Sequence, residues 1–130
     1  MKRGHKVIVI THGYKPDRYG VRWMTNGLKV YYVPLTPFTD QDTFITFYGC
    51  FPLIRDILIR EEISLVHTHQ ATSVMGHEST FHAKTMGIPT VYTNHSLFSF
   101  GDMASINLNK VLKVYLTEAD ASICVSHICK

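Results

Sequence analysis

Between Leu65 and Ser96 the chain reads LVHTHQATSVMGHESTFHAKTMGIPTVYTNHS, and this stretch holds five of its eight histidines. Imidazoles this dense could hold a metal ion, move protons or donate hydrogen bonds to a charged substrate. Metal is the weakest of the three. His77-Glu78-Ser79-Thr80-Phe81-His82 resembles a zincin helix with one residue too many. A true HExxH puts its histidines at i,i+4 on one face. At i,i+5 two side chains stand about 140° apart and cannot clasp one ion from one helix. His67 and His69 share a strand face, but no carboxylate or thiol stands beside them in the sequence. No metal site is assigned. His77 and His82 read as helix-surface or partly buried groups, and His5 and His127 likewise as structural. His12 fits either role.

His69 and His95 differ by where they fall. Each lies at or just past the carboxyl end of an apolar, strand-like run, and ligands of parallel α/β sheets bind outside those ends. Thr68, Thr93, Asn94, His95 and Ser96 would add polar groups there. A helix opening near Thr72 would aim free N–H groups at the same cleft, which favours anions such as phosphate. The expected site is a polar, phosphate-tolerant cleft containing His69 and His95; a purely structural His95 is the alternative.

The elements that must position these residues follow from the hydrophobic pattern. Lys6–Thr11 is a continuous apolar run, as expected of a strand covered on both faces. Leu28–Val33 is a second strand, stopped by Pro34, and residues 13–27 between them read as loop, with Pro16, Gly20 and Gly27 as breakers. Helical spacing runs from Asp40 to Ile63; Pro52 would kink that helix or open a second one. Leu53, Ile54, Ile57 and Leu58 form its apolar stripe, and Asp56 and Arg60 an i,i+4 pair. Leu65–His69 is a third strand, followed by a helix capped by Thr72 or Ser73 and ended by Gly87 and Pro89. Thr90–Thr93 is a fourth strand. Leu108, Val111, Leu112 and Tyr115 mark a further helix, opened by Asp102 or Ser105, and Ala121–Val125 is a fifth strand. Alternating strands and helices predict an α/β fold with a Rossmann-like parallel sheet.

Composition narrows the function. A chain of 130 residues fits one domain, and its net charge of +3 is mild. No stripe interleaves bases with aromatics, so no nucleic-acid partner is expected. The three cysteines show no CxxC spacing, which suits reduced thiols. The apolar run Val7–Ile10 is shorter than the ~7–15 residues a signal peptide needs. The greasy stretch from Phe44 to Ile59 contains Arg55 and Asp56 and does not span a bilayer unaided. No GxGxxG, GxxxxGK[ST] or GxSxG follows a strand, and no acidic residue ends the first strand, so dinucleotide, P-loop and nucleophile-elbow chemistry are unsupported.

Four segments carry a resemblance: RGHKVIVITHGY, GLKVYYVPL, LVHTHQATSVMGHESTFHAKTMGIPTVYTNHSLFSF and EADASICVSH. Together they resemble the N-terminal domain of the GT-B, family-4 retaining glycosyltransferases. FHAKTMGIPTVYTNHSLFSF points within that family to the catalytic subunits of phosphatidylinositol N-acetylglucosaminyltransferase, which begin glycosylphosphatidylinositol (GPI) anchor synthesis. The resemblance implies transfer of N-acetylglucosamine from UDP-GlcNAc to phosphatidylinositol on the cytosolic face of the endoplasmic reticulum membrane, with other subunits of a transferase complex as partners. It implies no metal or other cofactor. It places His95, within Thr93-Asn94-His95-Ser96, beside the donor sugar and its phosphate, and His67-Thr68-His69 on the acceptor side. Rivals are another family-4 transferase with a different acceptor, and a non-catalytic module that binds the other members of the complex.

The resemblance also sets expectations for the boundaries. Residues 1–130 would be a partial N-terminal, acceptor-side GT-B domain lacking its first, central strand, with the donor-binding domain absent and membrane association supplied by other parts. Val7–Thr11 and Leu65–His69 would flank the central strand's place. Either they pair directly, or a groove with unpaired backbone groups remains, each buried unsatisfied group costing about 1–3 kcal/mol. Such a chain is expected to be poorly stable and catalytically silent alone.

Overall fold

The computed structural model describes residues 2–15, 17–35, 51–95 and 103–126. Three strands form one sheet in the order β1 (Ile8–His12), β3 (Lys29–Val33), β2 (Gly20–Trp23). β1 and β3 run parallel, Ile8 opposite Lys29; β2 and β3 run antiparallel. A second sheet has the order β4 (Val66–His69), β5 (Thr90–Asn94), β6 (Ala121–Cys124), all parallel. Helices α1 (Phe51–Arg60), α2 (Val74–Thr85) and α3 (Met103–Glu118) complete the alternation. The α/β expectation therefore holds.

β2 corrects the expected loop at 13–27. Every one of its residues is exposed, so burial leaves no pattern in the sequence to read. The hairpin signal was Asn26-Gly27, a pair that favours the tight reversal between antiparallel strands. Gly27 takes φ +80°, Leu28 N–H donates to Asn26 Oδ1 at 3.1 Å, and Met24 N–H to the Leu28 carbonyl at 2.9 Å.

The core lies between the sheets and two helices. Ile54, Ile57 and Leu58 of α1 meet Tyr31 and Val33 of β3, Val66 of β4 and Met75 and Ala83 of α2. Each large apolar side chain buried this way contributes about 1.5–3 kcal/mol. Leu53, expected in the same stripe, stays 38% exposed at its margin. Asp56 and Arg60 form no ion pair among the described residues. Asp40, where the helical spacing begins, and the helix before Phe51 lie outside the described residues, as does Asp102.

α2 begins where expected. Ser73 Oγ accepts from Gly76 N–H at 3.1 Å, which settles the choice between Thr72 and Ser73. The helix ends at Thr85, and Gly87, φ +71°, turns the chain just beyond it. It is packed by α1, α3, β4 and β5, and so His77, Glu78 and His82 are buried rather than on the helix surface. His77 stacks on Tyr115 at 3.6 Å between ring centroids. Burial pushes its pKa down to about 4, against a hydrogen bond with the Ala71 backbone that acts the other way.

β1 and β4 do not pair. Their edges, unpaired among the described residues, line one groove of about 1030 Å³, reaching from His5 to His12 on one side and from Ile63 to Gln70 on the other. Lys6 Nζ donates to the Glu61 carbonyl at 3.0 Å, which sets the amino ends of the two strands side by side. Of the two arrangements open to Val7–Thr11 and Leu65–His69, the groove is the one present.

Candidate functional site

The carboxyl ends of β4 and β5 carry a row of imidazoles. Strand alternation places His67 and His69 on one face of β4; their rings stack with centroids 4.4 Å apart. In the parallel register His69 lies opposite Thr93. His95, just past β5, stacks on His69 at 5.3 Å. His69 Nδ1 and His95 Nε2 share a hydrogen bond of 3.0 Å, and His67 Nε2 and Thr93 Oγ1 one of 2.7 Å. All three imidazoles are exposed, while Thr93 is buried.

Only one hydrogen can sit between the facing nitrogens of His69 and His95. The pair is therefore stable neutral or singly charged; a second proton would set two N–H groups against each other. Partial burial, then the neighbouring His67 and His95, hold the His69 pKa below the ordinary imidazole value. His69 is thus held towards its neutral form, in which one ring nitrogen donates and the other accepts.

The sequence-predicted residues divide. His69 and His95 come together with their rings exposed, buried Thr93 lies opposite His69, and His67 joins them. Thr68 turns to the opposite face, buried at 8% exposure, where a Cβ on Gly76 of α2 would stand 3.4 Å from its own Cβ. It is a packing contact between β4 and α2. Asn94 is half-buried; its Oδ1 accepts from the Tyr92 hydroxyl at 3.4 Å. Ser96 lies outside the described residues. Gln70, which sequence reading left out, sits in a left-handed conformation at φ +71°. Its N–H reaches the Thr93 carbonyl at 3.2 Å, which extends the β4–β5 pairing one residue past the strand and steadies the turn under His69.

Among the described residues no group of three or more His, Cys, Asp or Glu side chains could hold a metal ion. No helix among them is long and apolar enough to cross a membrane. Cys124 is in no disulfide among the described residues; Cys50 and Cys129 lie outside them.

A second polar cluster lies at the opposite, amino ends of the strands. Glu61 is buried at 5% exposure and receives Lys29 Nζ, the Tyr31 hydroxyl at 2.5 Å and Lys6 Nζ at 2.9 Å. Lys29, Tyr31 and Lys6 hold its carboxyl down to about 2. Asp120 plays a similar part for α2, β5 and β6. It takes Lys84 Nζ at 2.7 Å and Thr90 N–H at 2.8 Å, and these partners hold its carboxyl down to about 2.

Comparison with known proteins places this geometry. The family PIGA (GPI anchor biosynthesis) matches residues 12–102. Over 130 residues the chain is 55% identical to a phosphatidylinositol N-acetylglucosaminyltransferase subunit of Arabidopsis thaliana, covering 100% of this chain and 29% of that protein. It is 53% identical to the gpi3 subunit of the same-named transferase of Schizosaccharomyces pombe, over 98% of this chain and 28% of that protein. The corresponding Homo sapiens protein is 48% identical over 100% of this chain and 27% of its own length. The chain thus spans less than a third of these relatives. Among solved structures, a sucrose-phosphate synthase from Thermosynechococcus elongatus superposes with a TM-score of 0.62 at 17% identity, covering 98% of this chain and 67% of that one. That likeness speaks for the fold alone.

Proposed function

Because the chain belongs to the PIGA (GPI anchor biosynthesis) family, we propose that it forms the acceptor-side part of an enzyme that transfers N-acetylglucosamine from UDP-GlcNAc to phosphatidylinositol. The observation that carries this reading is identity at about half the positions, along the whole chain, with proteins named for that transfer. The donor-binding domain is supplied by further polypeptide, and the complete protein works with other subunits of a transferase complex. It acts at the cytosolic face of the endoplasmic reticulum membrane.

His95 is the group placed to act on the donor. It is exposed at the carboxyl end of β5, and one ring nitrogen is engaged by His69. The other is left to donate to an oxygen of the donor sugar or its diphosphate. Such a donor, held in place before reaction, stabilises the charge that develops on the departing phosphate. A retaining transfer in which that phosphate takes the acceptor's proton needs no protein nucleophile, in keeping with a cleft that offers imidazoles and hydroxyls. His69 and Thr93 set the orientation of the row, and the α2 amino end, capped by Ser73, opens beside it.

The test uses the complete protein in its assembly, supplied with labelled UDP-GlcNAc and phosphatidylinositol. The expected product is the N-acetylglucosaminyl lipid with the anomeric configuration of the donor retained. Absence of product, or an inverted linkage, refutes the reading.

A further inference from the structure

The loop that leaves β1 exposes a group of aromatic and cationic side chains. Tyr14 is 53% exposed, Tyr19 40% and Val21 47%. Lys15, Arg18 and Arg22 are exposed among them, and Asp17 is the one acidic residue in the stretch from Tyr14 to Arg22. Lys6, Lys29 and Lys84 each meet a carboxylate; Lys15, Arg18 and Arg22 meet none among the described residues.

Three contacts shape the described residues of this loop. Arg18 N–H donates to the Lys15 carbonyl at 2.9 Å. Arg22 Nη2 donates to the Asp17 carbonyl at 3.1 Å, which draws its charge back from β2 onto the loop. A Cβ on Gly13 would collide with the edge of the Tyr19 ring, so that ring packs directly against the Gly13 backbone. The loop starts at His12, the carboxyl end of β1, and His12 lines the same groove as His69 and Gln70. The basic, aromatic rim and the imidazole row therefore occupy one end of the molecule.

Exposed tyrosines beside cations that meet no carboxylate suit the headgroup region of a bilayer. Aromatic rings rest at the interface, and cations are drawn to an anionic leaflet. We propose that the β1–β2 loop and the adjoining end of β2 dock on an anionic phospholipid surface and so hold the strand-end cleft over its lipid acceptor. The inference rests on the acceptor being a membrane phospholipid. It assigns to this chain a membrane contact that is separate from any anchor elsewhere.

The experiment compares the complete wild-type assembly with Lys15→Glu/Arg18→Glu/Arg22→Glu. Transfer is measured to phosphatidylinositol in phosphatidylcholine–phosphatidylserine vesicles and to a short-acyl, water-soluble phosphatidylinositol. Vesicle flotation, with and without phosphatidylserine, gives a readout independent of activity. One cation near an anionic leaflet carries about fivefold in affinity. KM for the vesicle acceptor should rise about tenfold or more with kcat kept, turnover of the soluble acceptor should stay unchanged, and the binding gained on adding phosphatidylserine should disappear. The matching glutamine variant should fall between the two. Unchanged KM and flotation overturn the proposal. So does an equal loss on both acceptors, which places the defect in the cleft or the fold. Dissociation of a partner protein with vesicle binding intact assigns the rim to that protein instead. A wild-type assembly that glycosylates neither acceptor breaks the functional reading, and the phosphatidylserine-dependent flotation then decides the docking alone.

Discussion

The Glu61 cluster and the His69–His95 pair sit at opposite ends of the strands and solve opposite problems. Glu61 is a buried carboxylate surrounded by donors from β3 and the chain just before β1. A buried charge must be met this way, or it neutralises or destabilises the fold. The imidazoles are exposed and hydrogen-bonded chiefly to one another and to Thr93. One cluster is complete without a ligand; the other has ring nitrogens to spare. Saturation marks the structural cluster, and spare donors mark the site.

The largest effect that would break this contrast is on activity. In the complete protein, His95→Ala should lower transfer by about 10²-fold or more, as loss of a positioned donor does elsewhere. The melting temperature should hardly move, because the ring is exposed. Wild-type turnover in that variant would remove His95 from the site.

Glu61→Gln should do the reverse, lowering the melting temperature by several degrees while turnover per folded molecule persists. The sign of the pH dependence follows from the carboxyl being held down to about 2 from 4.5. The stability it contributes is present above the ordinary carboxylate value and is lost as pH falls towards 2. His77 adds to acid sensitivity in the same direction. Its pKa of about 4 lies below 6.5, so the neutral ring stabilises the fold above 6.5 and that contribution fades as pH falls through 4. An acid transition unchanged by Glu61→Gln would show that the cluster is not what holds the amino ends together.

A smaller effect is expected from His69→Ala. It removes one hydrogen bond that orients His95, and a loss of about tenfold in turnover corresponds to the ~1.4 kcal/mol at the upper end for one ordinary bond. Since the His69 pKa is lowered, wild-type activity should hold through pH 6.5 and decline only below it, as His69 takes up a proton. In His69→Ala that acid limb should move. A uniform loss at every pH would mean that His69 only fills space.

Much of this was legible in the residues and some was not, for physical reasons. The apolar runs, their Pro and Gly boundaries and the Ser73 cap expose strand and helix ends directly, and with them the convergence of His69 and His95. Alternation along His67-Thr68-His69 also carried the information that Thr68 must face away from its neighbours. β2 left no burial pattern because all of it is exposed. The Glu61 cluster joins residues 55 and 32 positions away, a proximity that no local spacing encodes. The groove between β1 and β4 was foreseen as one of two outcomes, because both runs are apolar enough to be covered on either face.

The smallest effect concerns the turn that presents Glu61. α1 closes with Ile63 N–H donating to the Leu58 carbonyl at 3.1 Å, which forces Glu62 to φ +50°. That region costs a residue with a Cβ about 1–2 kcal/mol, and glycine avoids the cost. Glycine returns about 0.5–1 kcal/mol of it through the greater freedom of the unfolded chain. Glu62 is exposed, so its side chain has little packing to lose. Glu62→Gly should therefore raise the melting temperature slightly, by up to a few degrees in the complete protein. Because the variant leaves every donor to Glu61 in place, it separates the backbone's share of the anchor from that of the charges. A lower melting temperature would mean that the Glu62 side chain, rather than the reversal of the chain beneath it, keeps Glu61 aimed at Lys29 and Tyr31.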